Sequence, residues 1–250
     1  MKDLVIKFYL PNLHESRGDG RRIFQLIREL TPDLMPEFYN SCQPVNKEFD
    51  FERLEVALED WGNSFLWKRR KPSVDAMVTF GSAHPRRPFH TSLVIKARSE
   101  TVDSRKLTHF VQEFSNSFGS DISMIHVFPK AGNGNRQPLL NVSSFILRES
   151  LPNLDWATVF GAPYVKLFGR ERLLSTPAAV TRVLADNMIY IQLTEDVLDN
   201  RKQPERVEAT RLAAKKHLDS NAFFDPQLNP NHVYRRPEFH IEAGTLNGNN

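Results

Sequence analysis

The fold is decided by residues 103–128, DSRKLTHFVQEFSNSFGSDISMIHVF, which join a helix to a strand. Apolar residues recur there at i, i+3, i+4, i+7 and i+11, the spacing that places them on one helix face: Leu107, Phe110, Val111, Phe114 and Phe118. Asp103 or Ser104 can cap the first turn, and Gly119 is the residue type that ends a helix in the left-handed conformation. From Ile122 to Phe128 the pattern alternates instead, which predicts a strand that Pro129 ends.

The segments before this stretch add further strands and helices. A strand is predicted over Leu4–Leu10, and an amphipathic helix follows with its apolar stripe at Ile23, Leu26, Ile27 and Leu30. Asp50 can cap a second helix, whose apolar residues are Phe51, Leu54, Leu58 and Trp61. Ala76–Phe80 and Ser92–Ala97 have the composition of two connected strands. This order predicts an α+β fold, with a mixed, largely antiparallel sheet and helices packed mainly on one face.

The rest of the chain predicts a second half of similar design. Val159–Phe168 and Met188–Leu193 have the composition of strands, and Pro204 opens a helix over Glu205–Leu218. Ala131–Pro138 is a loop by composition and the best internal boundary. We therefore expect two closely joined halves, residues 1–130 and 139–225, followed by a surface tail over residues 226–250 that is rich in Pro, Asn and Gly.

The composition is that of an ordinary globular protein, with 250 residues, of which 40% are hydrophobic and 25% charged. The net charge of +3 and the pI of about 9.0 neither demand nor exclude a nucleic-acid partner. No apolar stretch approaches the ~18 residues of a membrane helix, and the N-terminal segment lacks the features of a secretory signal. The single cysteine, Cys42, cannot form an internal disulfide, so we expect a cytoplasmic protein without membrane contact, in which Cys42 is buried.

Catalytic and metal-binding patterns are missing from the sequence. The eight histidines are scattered, and no two have the i, i+4 spacing of a helical zinc pair. A restriction-type nuclease would need an acidic residue two positions before Lys96 to join Asp75, but Val94 stands there and cannot bind a cation. We therefore expect no cofactor, no metal and no enzymatic activity. A hydrolase whose site assembles from distant acids and histidines stays open as an alternative.

A basic run, Lys68–Lys71, follows Trp67 and precedes Pro72. We expect an exposed turn there, in which the candidate partner contacts are Trp67, Lys68, Arg69 and Arg70. With Arg86 and Arg87 nearby in sequence, the same cations could neutralise phosphates while an aromatic ring stacks on a base. A nucleic-acid-binding module is thus the alternative function, although a solvated connection is the favoured interpretation of the run.

An acidic group of opposite charge follows the predicted strand Met188–Leu193 and comprises Glu195, Asp196 and Asp199. Such residues often only solvate a turn. They could also face a cationic surface, such as the substrate groove of a nuclease, where complementary charge speeds encounter and excludes wrong partners. We include these three residues among the candidate partner contacts.

One long segment has a familiar pattern. Residues 155–178 read DWATVFGAPYVKLFGRERLLSTPA, residues 189–194 read IYIQLT, and residues 221–224 read NAFF. This segment resembles the immunity protein 52 family of bacterial polymorphic-toxin systems, most specifically in Gly-x-Pro-Tyr at 161–164 and Tyr-x-Gln-Leu-Thr at 190–194. The resemblance extends over most of Lys2–Asp225.

The resemblance implies a non-enzymatic antidote that binds one cognate toxin, often a restriction-endonuclease-fold nuclease delivered by type VI secretion. The net charge of +3 departs from the acidic character that is frequent among nuclease antidotes, so a local acidic patch or an apolar contact would have to serve. A homo-oligomer is also compatible with the sequence. The family-like residues are equally well explained by core packing: Trp156, Gly161, Pro163, Tyr164 and Gly169.

Overall fold

The computed structural model describes residues 2–62, 64–84, 86–128 and 143–241. Within these residues ten strands form one sheet, in which every neighbouring pair is antiparallel. The strands are β1 (Leu4–Leu10), β2 (Phe38–Asn40), β3 (Lys47–Glu48), β4 (Ser64–Arg69), β5 (Val74–Thr79), β6 (Thr91–Ala97), β7 (Ile122–Val127), β8 (Ala157–Phe160), β9 (Val180–Ala185) and β10 (Met188–Gln192). Their order across the sheet is β3-β2-β4-β5-β6-β1-β7-β8-β10-β9.

Eight α-helices accompany the sheet in the described residues. They are α1 (Arg17–Leu30), α2 (Leu54–Ala57), α3 (Ser104–Phe118), α4 (Ser144–Leu147), α5 (Ala162–Phe168), α6 (Arg170–Leu174), α7 (Asp199–Lys202) and α8 (Pro204–Leu218). The α+β class and the largely antiparallel sheet are therefore confirmed. No described helix is both long and apolar enough to cross a lipid bilayer.

Side chains cap the first turns of the two longest N-terminal helices, and the caps of the second helix are those expected from the sequence. Ser16 accepts a hydrogen bond from the amide of Asp19 at the start of α1, and Asp103 accepts from two amides at the start of α3. Gly119 ends α3 in the left-handed conformation, with φ of 61°. Asp50 also caps its helix as expected, but that helix is one short α turn, α2, between two 3-10 turns, Phe51–Arg53 and Leu58–Asp60.

Two hydrophobic cores lie on opposite faces of the sheet. In the first, β1 meets α3, where the Phe8 ring centre lies 4.1 Å from that of Phe114. In the second, C-terminal helices pack on the other face, and Ile189 of β10 belongs to this core while the neighbouring Tyr190 belongs to the first. The prediction of helices mainly on one face therefore fits the N-terminal half of the sheet. The C-terminal half is covered on both faces.

The predicted strand Val159–Phe168 was wrong over most of its length. β8 ends at Phe160, and residues 162–168 form helix α5. Gly161 makes this change of direction possible because an added Cβ would lie 2.1 Å from the carbonyl oxygen of Ser120. Pro163 then occupies the first turn of α5, where its missing amide costs nothing. A short apolar run fits a buried strand and a buried helix equally well, which explains the error.

The expected boundary at Ala131–Pro138 lies outside the described residues, and the division into residues 1–130 and 139–225 stays a prediction. β7 pairs directly with β8, so one sheet contains strands from both expected halves. The described part of the tail packs back onto the protein. Arg235 donates to the carbonyl oxygen of Leu167, and the ring centre of Phe239 lies 4.7 Å from that of His90.

Candidate partner-binding face

One face of strands β4, β5 and β6 has no helix packed on it among the described residues. Burial alternates along these strands because every second side chain points into the first core, as Phe65, Val78 and Ile95 do. The intervening side chains point the other way. We call their surface the open face and define it by Leu66, Lys68, Asp75, Met77, Val94 and Lys96.

The register of the strands arranges these side chains in two parallel rows. Lys68 pairs with Asp75, and Asp75 pairs with Lys96, which gives a charged row. Leu66 pairs with Met77, and Met77 pairs with Val94, which gives an apolar row beside it. Directly opposed residues in antiparallel strands have Cβ atoms only about 5 Å apart. Each row is therefore a continuous stripe across three strands.

A pocket of about 450 Å³ lies over the open face, and Gln43 and Val45 from the β2–β3 connection help to line it. Met77 is the most accessible of the apolar residues, with 40% of its surface exposed. Leu66 and Val94 beside it are half-buried. An accessible apolar stripe rimmed by charged groups is typical of a binding surface.

The charges of the open face are only partly compensated. Asp75 forms an ion pair with Lys2. The ammonium group of Lys68 lies 5.6 Å from the ring centre of Phe38, and no carboxylate lies within salt-bridge distance of it in the described residues. Lys96 likewise has no carboxylate partner within that part of the chain. The exposed part of the row therefore carries excess positive charge.

Lys7 continues the apolar row on β1, since it pairs with Val94. Only 4% of its surface is exposed. Burial lowers the pKa of the Lys7 ammonium to about 8, against the opposing effect of Asp155, and the nearby charge of Lys96 lowers it further. The open face therefore ends at Lys7, where the C-terminal half begins to cover this side of the sheet.

β4 ends at Arg69, and an exposed turn follows at Arg70 and Lys71, so the expected exposed turn was wrong over Trp67–Arg69. Trp67 is only 1% exposed, and its indole N–H donates to the carbonyl oxygen of Leu34 at 3.1 Å. Lys68 lies on the open face, whereas Arg69 lies on the opposite side, where it donates to the carbonyl oxygen of Met35. The ring of Trp67 is consequently not available at the surface, because strand alternation turns it into the first core.

Arg70 follows this strand in the turn and is exposed. Its guanidinium carbon lies 4.6 Å from the ring centre of Phe38, and its backbone amide donates to Glu37. Arg86 and Arg87 are exposed in the β5–β6 connection. The structure therefore divides the cations of the basic run between two sides of the sheet and does not form one cationic stripe from them.

The predicted acidic residues are placed at the end of β10, which five strands separate from β4 in the sheet. Asp199 is buried, Asp196 is half-buried, and Glu195 is exposed. Glu195 lies 3.5 Å from Arg206, and Asp196 accepts a hydrogen bond from the Ser104 hydroxyl at 2.9 Å. A hydrogen bond from the backbone amide of Leu198 lowers the pKa of Asp196. These acids are held by internal partners, and their role in binding a partner stays a prediction.

The family-like residues build the second half of the fold. Trp156 is buried and donates its indole N–H to the Thr194 hydroxyl at 3.0 Å. Tyr164 is fully buried, which raises the pKa of its phenol well above the ordinary value, and its hydroxyl has no hydrogen-bond partner among the residues that the structure describes. Gly169 joins α5 to α6 with φ of 88°. Pro163 and Gly161 form the turn into α5 described above.

A second polar group was not foreseen from the sequence. The His90 ring lies between Ser144 and Asp121, at 2.8 Å from the serine Oγ and 2.9 Å from the aspartate Oδ2. The His90 side chain is fully buried, and Phe239 packs against its ring. Among the described residues no three or more histidine, cysteine, aspartate or glutamate side chains are grouped as metal ligands.

The sequence carries a local signal for the side chains of the open face. Residues 74–79 alternate buried-type and polar or flexible residues, and residues 91–97 alternate in the same way. Two adjacent antiparallel strands with this pattern predict one solvent-facing side that carries Asp75, Met77, Val94 and Lys96. Cys42, expected to be buried, is exposed in the β2–β3 connection, because that segment lies outside both cores.

Comparison of the sequence with protein-family models and with curated proteins finds no match. Among solved structures the chain is similar to Pseudomonas aeruginosa T6SS protein PA0821, with 11% sequence identity and a TM-score of 0.56. The similarity covers 86% of this chain and 75% of that protein. At this level of identity the comparison shows a shared fold.

Proposed function

We propose that this protein is an immunity protein that binds and neutralises a cognate bacterial toxin, with a restriction-endonuclease-fold nuclease effector of type VI secretion as the expected target. The observation that carries the proposal is the open face, an uncovered sheet surface with an apolar stripe beside a charged one. The likeness in fold to a protein described as a T6SS protein supports the same context. The resemblance at residues 155–224 points to the same class of protein.

The dimensions of the open face suit the central part of a protein interface. Three strands, β4 to β6, spaced by about 4.8 Å, and about six residues of about 3.3 Å each cover roughly 300 Å². A standard interface uses about 800 Å² on each partner. Contacts must therefore extend beyond the open face, for example onto Phe38, Arg70 and the β2–β3 connection. Neutralising a lethal partner requires nanomolar affinity, on the order of −12 kcal/mol.

The alternative, a nucleic-acid-binding module that uses Lys68–Lys71, has weaker support. Arg69 points away from Lys68, and Trp67 is buried, so the run offers neither a continuous cationic track nor a stacking ring. Retention on immobilised DNA across a salt gradient separates the two functions. Tight retention that falls steeply with salt would favour the module, because each neutralised phosphate releases counterions.

The direct test is protection of cells. The protein encoded by the neighbouring gene is expressed alone and together with this chain, and survival and co-purification are measured. Protection with a stable complex supports the proposal. If the cells are not protected and no complex forms, the proposal is contradicted. Purified protein that turns over a substrate, with the turnover abolished by Asp121→Asn or Ser144→Ala, would favour a hydrolase instead.

A further inference from the structure

We infer that the open face binds an acidic surface of the toxin, with Lys68 and Lys96 as the two charged contacts beside an apolar one. The inference rests on the proposed function and specifies the chemistry of its interface. The expected contact on the partner is a pair of carboxylates with an apolar side chain beside them, and not a cationic nucleic-acid groove.

The first step concerns the ion pairing of the two lysines. Three other long cations are paired with carboxylates: Arg21 with Glu55 at 2.6 Å, Lys47 with Asp60 at 2.6 Å and Arg201 with Asp3 at 2.7 Å. Lys68 and Lys96 have no such partner among the described residues, although both are half-buried on a sheet. A half-buried ammonium group loses part of its hydration, so a carboxylate brought by a partner interacts with it strongly.

The second step is the balance of charge around them. Asp75 lies between the two lysines in the charged row, but Lys2 already pairs with it. The cations Lys2, Lys68 and Lys96 thus face a single carboxylate, which leaves an excess of two positive charges. Complementarity requires an acidic partner surface.

The third step is geometry. Lys68 and Lys96 are separated by two strand spacings, about 10 Å. Asp75 lies between them in the charged row, and the pocket of about 450 Å³ over Leu66, Met77 and Val94 lies beside this row. A partner that places an apolar side chain in this pocket brings carboxylates next to that side chain onto the two lysines. Apolar burial then contributes affinity, and the lysines select the acidic surface.

The test compares two double variants that carry the same change in net charge. Lys68→Glu with Lys96→Glu reverses the charges of the open face. Lys106→Glu with Lys216→Glu reverses two exposed lysines on helices α3 and α8 and serves as the control. Affinity for the protein encoded by the neighbouring gene is measured at two salt concentrations, and circular dichroism confirms that both variants fold.

We expect the open-face variant to bind at least 100-fold more weakly, with a reduced association rate, and the control to stay within threefold of the unchanged protein. Binding by the unchanged protein should weaken as salt rises. If the open-face variant binds within threefold while the complex still forms, the inference fails and the proposed function stands. If the unchanged protein forms no complex but loses DNA retention on reversal of Lys68 and Lys96, both fail in favour of nucleic-acid binding.

Discussion

Nε2 of His90 lies 2.9 Å from Oδ2 of Asp121 in the interior of the protein. The other ring nitrogen contacts Ser144, so a single buried side chain ties the start of β6 to the turn before β7 and to helix α4. Polar atoms buried in this way stabilise a fold only while each has its partner, because an unpaired buried group keeps the cost of its lost hydration.

Replacement of His90 tests this tie. We expect His90→Ala to lower the free energy of unfolding by about 3 kcal/mol, since it leaves Asp121 buried with a lost partner and opens a cavity beside Phe239. Urea denaturation measures the change. His109→Ala is the matched control, because that side chain is exposed on α3, and its midpoint should not move. Equal midpoints for both variants would contradict the role given to His90.

Gly161 should tolerate no side chain. In Gly161→Ala the new Cβ would lie 2.1 Å from a backbone oxygen of Ser120, so β8, the turn before β7 or both must shift. We expect a loss of about 3 kcal/mol, at the upper end of overpacking effects.

Gly18→Ala is the control for Gly161→Ala. Gly18 is exposed in the first turn of α1, and the nearest atom to its new Cβ is the Ser16 Oγ at 3.6 Å. Gly18→Ala should stabilise the protein by up to about 1 kcal/mol, because alanine favours the helical conformation and restricts the unfolded chain. Thermal unfolding of both variants measures the difference. Similar shifts in Tm would show that the Gly161 contact relaxes without cost.

Lys7 should make the free energy of unfolding depend on pH in the alkaline range. Its pKa is about 8 in the folded protein and about 10.5 in the unfolded chain. Between these values the unfolded chain binds the extra proton, so the free energy of unfolding rises as pH goes from 8 to 10.5, and below pH 8 the full cost of burying the charge persists. The rise can reach about 3 kcal/mol.

The matched variant is Lys7→Met, which has a similar shape and no charge. It should be more stable than the unchanged protein at pH 7, and its stability should lack the rise between pH 8 and 10.5. Urea titrations at pH 7, 8, 9 and 10 provide the comparison. Parallel curves for the two proteins would show that Lys7 does not carry this dependence.

Cys42 should react in the folded protein because its side chain is exposed. We expect one thiol per chain to react with a water-soluble disulfide reagent in native buffer, at a rate close to that in denaturant. Cys42→Ser should abolish the reaction. A native rate at least 100-fold slower than the denatured rate would mean that the thiol is protected, as the sequence had suggested.

Local patterns were sufficient wherever one residue type enforces one backbone geometry. Asp103 and Gly119 delimit α3 because a side-chain acceptor and a left-handed residue satisfy helix ends locally. Leu4–Leu10 was recognised as a strand because its β-favouring side chains end at a proline. Residues 162–168 were misassigned because their apolar run fits both a buried strand and a buried helix. Contact of Gly161 with Ser120 and Asp121 selects the helix.

In the candidate site, too, local sequence patterns identified some residues correctly and misled the choice of others. Lys68 was identified as a contact from its place in a basic run, but its neighbours on the open face, Asp75 and Lys96, lie on two other strands. Trp67, next to Lys68 in sequence, belongs to the opposite side of the sheet. Adjacency in sequence therefore misled the choice of aromatic contact, because successive residues of a strand face opposite ways.

The sequence by itself determined the α+β class, the caps of α3 and the strands at the centre of the sheet, because periodicity and capping are local properties of the chain. The tertiary structure alone decided which strands stand side by side, which face stays uncovered and which lysines lack a carboxylate. These depend on register between segments far apart in sequence, and a one-residue shift in register would move every side chain to the other face.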